Sequence, residues 1–160
     1  MKKLKLYLDT SVISHLYAPD MPEKMAETLI FWKEIKAEKY NIVISDIAFE
    51  ELGRCSEPKK SLLSDYISEI NFENPTETNE SGYLLTAYLQ YEVLSAKNRD
   101  DLRHIALATV FGCDIIVSWN FRHFVNIKTI SRVQAINQLQ GYPEIKILPP
   151  SMIIGGNSDE

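Results

Sequence analysis

Four short apolar runs, each separated from the next by one or more helical stretches, constrain this chain more than any other feature. Leu4-Lys5-Leu6-Tyr7-Leu8 alternates and stops at Asp9-Thr10-Ser11, a strand followed by a helix-capping cluster. Asn41-Ile42-Val43-Ile44 is a short β-branched run, Asp114-Ile115-Ile116-Val117-Ser118 reads as a buried strand, and Ile145-Lys146-Ile147-Leu148 as a last one. The first interval carries a helix over 23–39, with Met25, Leu29, Trp32 and Ile35 on one face. After the second run, Ser45 or Asp46 caps a helix, and Pro58 opens another that runs to about Glu69. Asn74-Pro75-Thr76 is the clearest loop signal. It precedes a helix over 77–97 bearing Tyr83, Leu84, Ala87, Tyr88, Tyr91 and Leu94. A helix over 100–111 ends at Gly112, and one over 129–140 ends at Gly141. Short strands alternating with helices predict an α/β fold of three layers, α/β/α, on a mostly parallel central sheet. In such sheets ligands bind beyond the carboxyl ends of the strands, so the residues just after each run are the ones to examine.

A chain of 160 residues fits one domain, expected over 1–150. Pro149-Pro150 and the Gly155-Gly156-Asn157-Ser158-Asp159-Glu160 end predict a flexible tail over 151–160. An ordinary apolar fraction of 45% and a small net charge of −5 exclude a disordered chain. The longest apolar stretches fall far short of the roughly 20 residues a membrane span needs, so no membrane partner is expected. Lys5 and Asp9 interrupt what would have to be the apolar region of a signal peptide. Two cysteines, Cys55 and Cys113, exclude a disulfide framework and a cysteine zinc site, which makes a reducing cytoplasm the expected location. A mildly acidic chain is no general polyanion binder, and any nucleic acid must be held by local basic patches or through a cation.

Asp9 ends the first run, Glu50-Glu51 lies in the helix after the second, Asp101 starts the helix before the third, and Asn120 follows the third by two residues. A parallel sheet can bring all of these to one edge. Carboxylates gathered there repel one another, and hard cations such as Mg²⁺ or Mn²⁺ are their usual stabiliser. By the same repulsion, removing Asp9 or Asp101 should raise the stability of the metal-free fold or barely lower it. Asp101 shares a face with Ile105, Ala108 and Gly112, so it belongs either to the buried side of its helix or to the first-turn acids that match the helix dipole. Helical spacing alone does not choose between Glu50 and Glu51. Ser11 and Ser118 stand beside these positions as hydrogen-bond donors or simple caps. His104 lies one turn from Asp101, where it either touches the site or, as is more usual for a helix histidine, pairs with a neighbouring acid. His15 and His123 have no zinc spacing with it. Arg122, His123, Lys128 and Arg132 form one basic group and Arg54, Lys59 and Lys60 another, each suited to phosphates or to a solvated surface. The aromatic residues Trp32, Tyr83, Tyr88 and Tyr91 fall inside helices and read as core or interface rather than as base-stacking platforms.

The chain resembles PIN-domain proteins, including the VapC-type ribonuclease toxins, through four segments in order between Leu6 and Phe124. These are Leu8-Asp9-Thr10-Ser11-Val12-Ile13, then Val43-Ile44-Ser45 with Glu51-Leu52. Asp101-Leu102-Arg103-His104-Ile105-Ala106-Leu107-Ala108 is similar to the third motif, and Gly112 to Ser118 with Asn120 and Phe124 to the fourth. Within that pattern Glu51, standing before Leu52, is the residue the second motif expects. The resemblance implies a PIN-like fold and a metal-dependent endoribonuclease in which Asp9, Glu51 and Asp101 hold Mg²⁺ or Mn²⁺. Asn120 would position water or metal, and Arg122 and Lys128 would contact substrate. It also implies an RNA substrate, an antitoxin partner and a homodimer. The fourth motif departs from its strongest form, since Asn120 and His123 stand where many relatives carry acids; this weakens a second metal more than the first. Two other readings compete. One is a catalytically weak PIN-like module that binds RNA or protein. The other is a phosphatase of the haloacid-dehalogenase type, which needs a second acid two residues after the first and meets Ser11 instead.

Overall fold

The structure is a computed structural model; it describes residues 2–91, 99–120 and 127–155, with side chains in the last stretch from residue 131 onward. In chain order the elements are β1 Lys5–Leu8, α1 Thr10–Ser14, α2 Pro22–Lys36, β2 Asn41–Val43, α3 Asp46–Leu52 and α4 Lys59–Ile67. They continue with α5 Asn79–Gln90, α6 Arg99–Val110, β3 Ile115–Val117, α7 Ile127–Leu139, β4 Lys146–Leu148 and a 3-10 turn, Pro150–Met152. The four strands form one parallel sheet in the order β2-β1-β3-β4. Helices cover both faces, giving the three layers the sequence predicts.

Side-chain alternation on the strands sorts the core. Tyr7, Val43, Ile116 and Ile147 face a layer built from Leu84, Leu85 and Tyr88 of α5, Leu102, Ile105 and Ala108 of α6, and Val133 and Ile136 of α7. Leu6, Leu8, Ile42, Ile115 and Val117 face the other way, onto Val12 and Ile13 of α1, Phe31, Trp32 and Ile35 of α2, Ala48 and Leu52 of α3, and Leu63 of α4. Runs such as Ile115-Ile116-Val117 are apolar throughout because both faces are covered.

Local chemistry sets the helix ends. Ser45 rather than Asp46 caps α3, its hydroxyl accepting from Ala48 N at 3.3 Å. Thr78 and Ser81 form a reciprocal capping box that starts α5 two residues later than expected. The expected continuation of α5 to residue 97, with Leu94, lies outside the described residues. Gly112 takes φ +77°, a left-handed turn that closes α6 as Cys113 N reaches back to Ala108 O at 3.0 Å.

Part of the segment expected to fray is docked. Ile153 is buried beside α2, and Gly155 N donates to Glu34 Oε2 at 2.9 Å. The apolar Ile153-Ile154 pair, following the Pro149-Pro150 stop, gives this stretch a reason to return to the core.

A buried polar junction ties the second helical layer together. Asn137 on α7 is fully buried, accepts from the Tyr88 hydroxyl at 2.5 Å and approaches Thr109 Oγ1 at 3.4 Å. Asn137→Leu removes a partner from both the Tyr88 hydroxyl and Thr109, so it should lower stability by about 1–3 kcal/mol, and Tyr88→Phe in that background should recover part of the loss. Urea unfolding of the two variants measures both effects.

Candidate active site

The chain moves from β1 outward to β2, then crosses back to β3 on the other side of β1. This reversal opens a crevice at the carboxyl ends of β1 and β3. Asp9 sits there, its backbone N bonded to Val117 O at 3.0 Å. It caps α1, and its Oδ2 accepts from Ser11 Oγ at 2.6 Å, Ser118 Oγ at 2.9 Å and Ser11 N at 3.3 Å. The two serines, which the sequence left between capping and support, both support Asp9. Ser11 Oγ also receives Trp119 N at 3.0 Å, and Ser118 Oγ receives Asn120 N at 2.9 Å. The strand end is thereby fixed around one carboxylate oxygen. Trp119 completes this corner through its indole N–H, which donates to Thr28 Oγ1 at 2.9 Å.

Glu51 comes in from the last turn of α3. Its Oε1 accepts from the Thr10 hydroxyl and from His104 Nε2, the latter at 2.7 Å. The same Nε2 lies 3.7 Å from Asp9 Oδ1, so one imidazole N–H faces both acids. Behind the ring, Nδ1 meets the Tyr7 hydroxyl at 2.5 Å, and that hydroxyl meets Ser45 Oγ at 2.7 Å. Asp101, half-buried in the first turn of α6, adds its charge to the field on His104. Glu50 points away: it is exposed and lies 3.5 Å from Arg103, which also binds Glu77 and Asp100. The choice the helical spacing left open therefore falls geometrically on Glu51.

Asp9 and Glu51 thus face His104, Asp101 acts on it through its charge, and Asn120 is half-buried on the loop that Ser118 anchors. Among the described residues no three side chains of His, Cys, Asp or Glu are gathered closely enough to hold an ion as they stand. Arg122 and His123 lie outside the described residues, as does the side chain of Lys128 on α7. Arg54 is exposed, and its charge helps to lower the pKa of Glu51. Tyr7 and Thr10 are the contributors that sequence reasoning missed. A strand expected inside a sheet covered by helices on both faces buries Tyr7 as well as Leu6 and Leu8, and a buried tyrosine hydroxyl needs a partner, which is the signal that was there to use.

No protein-family model matches the chain, and no curated protein matches it in sequence. Among solved structures it is similar to the crystal structure of VapBC2 from Rickettsia felis bound to a DNA fragment from their promoter. The match has a TM-score of 0.57 and 16% identity, and it covers 91% of this chain and 98% of that one. The likeness is one of fold. The α/β/α arrangement is a three-layer PIN-like fold, with the acidic crevice at its topological switch point.

Electrostatics within this PIN-like crevice follow from the contacts. Burial lowers the pKa of His104, but the Glu51 hydrogen bond and the charges of Asp9, Glu51 and Asp101 outweigh it, and the net shift is upward from 6.5. Glu51 is raised by burial yet ends below its ordinary 4.5, because His104, Thr10 and Arg54 favour the carboxylate. Tyr7, which faces the ring from β1, is pushed up by burial and stays a neutral hydroxyl. The raised histidine stabilises the fold fully below 6.5 and loses that contribution as pH rises through its folded pKa. The lowered glutamate contributes above 4.5 and fails only as pH falls through its own folded value. The pair is therefore strongest between 4.5 and 6.5. Urea midpoints should fall between about pH 5.5 and about pH 8.5, and Glu51→Gln should flatten that fall. An equal slope in the variant would show that other groups set it.

Proposed function

We propose that the chain is a metal-dependent endoribonuclease that hydrolyses RNA phosphodiester bonds and acts as the toxin of a type II toxin-antitoxin pair. The observation that carries this reading is the convergence of Asp9 and Glu51 on one buried imidazole at the switch point, with the charge of Asp101 acting on the same ring. The donor chemistry fits Mg²⁺ or Mn²⁺, since carboxylate and amide oxygens are what hard cations take. Asp9, Glu51 and Asp101 would hold the ion, with the Asn120 carbonyl oxygen as a further donor. Bound there, the cation would acidify a water and offset charge at a phosphoryl group.

The chain's own residues have separate tasks in this reading. Ser11 and Ser118 fix one oxygen of Asp9 and leave its other oxygen facing His104. Thr10 fixes Glu51 from the α1 side. Arg122 and Lys128 would meet the phosphates on either side of the cut. No side chain among the described residues at the crevice calls for a covalent intermediate. An antitoxin protein would cover the acidic edge, and a second copy would complete a homodimer; the fold shared with a component of VapBC2 supports the partner reading. No helix among the described residues is long and apolar enough to cross a membrane.

A second reading, a weakly catalytic module that binds RNA or protein, draws on the internal satisfaction of Glu51, whose Oε1 already accepts from both Thr10 and His104. One experiment separates the two. RNA is incubated with the protein in EDTA, in Mg²⁺ and in Mn²⁺, beside Asp101→Asn. Cleavage that requires the cation and disappears in the variant is the expected result. Silence of the wild type in both cations, without Mn²⁺ uptake, would leave the binding module.

A further inference from the structure

Building on the nuclease reading, we propose that His104 is its positioning residue: the Nε2–H, backed by the Tyr7 hydroxyl, holds the Glu51 carboxylate beside Asp9. His104 is only 1% exposed, so neither RNA nor solvent reaches the ring, and whatever it does it does through its neighbours. Both ring nitrogens are engaged, Nε2 with Glu51 Oε1 at 2.7 Å and Nδ1 with the Tyr7 hydroxyl at 2.5 Å. A carboxylate can only accept, so Nε2 carries the hydrogen. A nitrogen that donates a hydrogen has no lone pair for a metal. His104 is thus a support for the acids rather than one of the ligands.

The support is rigid for a reason that can be traced through the fold. Tyr7 is fully buried on the central strand β1, and its hydroxyl is braced by Ser45 Oγ at 2.7 Å. Ser45 is the cap of α3, the helix whose last turn carries Glu51. Ser45, Tyr7, His104 and Glu51 therefore close a circuit through β1, α3 and α6. Glu51 needs such a hold. It sits near the end of a seven-residue helix, and a half-buried glutamate side chain has several torsions to lose. Thr10 on α1 grips the same Oε1, so the carboxylate is turned by donors from two helices. Hydrogen-bond partners that orient metal-ligating side chains typically cost 10- to 100-fold in metal affinity or activity when lost.

The test compares wild type, His104→Phe, His104→Gln and Tyr7→Phe by two readouts: Mn²⁺ titration without RNA, and kcat and KM for RNA cleavage. His104→Phe removes the donor and should weaken Mn²⁺ binding by about 10- to 100-fold, lowering kcat with KM unchanged. Glutamine can place an amide N–H near the position of Nε2, so His104→Gln should restore most of that loss. Tyr7→Phe frees the back of the ring and should weaken Mn²⁺ binding by a smaller factor, about three- to tenfold. If His104→Phe does not fold, the other two variants decide. Wild-type Mn²⁺ affinity in His104→Phe or Tyr7→Phe would overturn the positioning role while leaving the nuclease intact. So would a folded His104→Gln with no recovery, or an effect confined to KM. A wild type that neither binds Mn²⁺ nor cleaves RNA would overturn the nuclease reading and the positioning role with it.

Discussion

In the proposed nuclease, Asp9→Asn should lower RNA cleavage by at least about 10²-fold, the loss that follows removal of one preorganised electrostatic group from a site. The same substitution lowers stability by about 1–3 kcal/mol, because the hydrogen bonds it disturbs are charge-assisted. Repulsion between gathered acids argues for the opposite sign, and the structure gives the reason it does not prevail. Asp9 is buried with its Oδ2 accepting from Ser11 and Ser118, and its Oδ1 faces the His104 N–H at 3.7 Å. An asparagine oxygen can keep the two serines, but its amide then confronts the imidazole N–H, donor against donor. The charge opposite His104 is lost as well. Cleavage is measured on mixed RNA in Mn²⁺ and stability by urea unfolding at about pH 6, inside the window where His104 carries its proton. A raised unfolding midpoint would restore the repulsion argument. Cleavage within about threefold of wild type would remove Asp9 from the machinery, since that is far less than a preorganised group supplies.

The opposing expectation from acid repulsion shows where sequence reasoning stops. Alternation, β-branched runs and capping residues located each described strand and most described helix ends, because those signals are local. Asp9 at a strand end, Asp101 at a helix start and Ser118 after β3 were legible for the same reason. The strand order β2-β1-β3-β4 was not, since parallel pairings join residues far apart in the chain, as with Leu6 and Ile115. What passes between the acids depends on that order. His104 is one turn from Asp101, a spacing visible in the sequence, yet its principal partners are Tyr7 and Glu51, which lie 97 and 53 residues away. The Glu50 and Glu51 choice has the same character. Successive residues on a helix point about 100° apart, so only the docking of α3 against α1 decides which one reaches the crevice. Thr10 reaches Glu51 through that docking. The aromatic residues read as core or interface divide in the fold: Trp32 and Tyr88 are buried, while Tyr83 and Tyr91 are 74% and 61% exposed, a division that helical spacing alone did not make.

Tyr7→Ala has the largest expected effect on the fold itself, a loss of about 3–5 kcal/mol against a typical domain stability of 5–15 kcal/mol. The side chain is wholly buried on the central strand, in the layer formed with α5, α6 and α7. Truncating it leaves a cavity that the flanking strand positions Val43 and Ile116 cannot fill without moving the sheet. It also removes the hydroxyl that meets both Ser45 and His104, stranding two buried polar groups. Leu8→Ala provides the control. Leu8 is equally buried on the same strand but faces the opposite layer, away from the ring. It should cost a comparable amount of stability, about 2–5 kcal/mol, through the cavity alone. The two variants diverge in the pH dependence of unfolding. Leu8→Ala should keep the fall in stability above the histidine's range, whereas Tyr7→Ala should blunt it, because the imidazole has lost the hydroxyl that fixes it against Glu51. A Tyr7→Ala protein less than about 1 kcal/mol below wild type would mean that the sheet closes over the gap. The strand would then be holding Glu51 and Asp9 by some route other than this side chain.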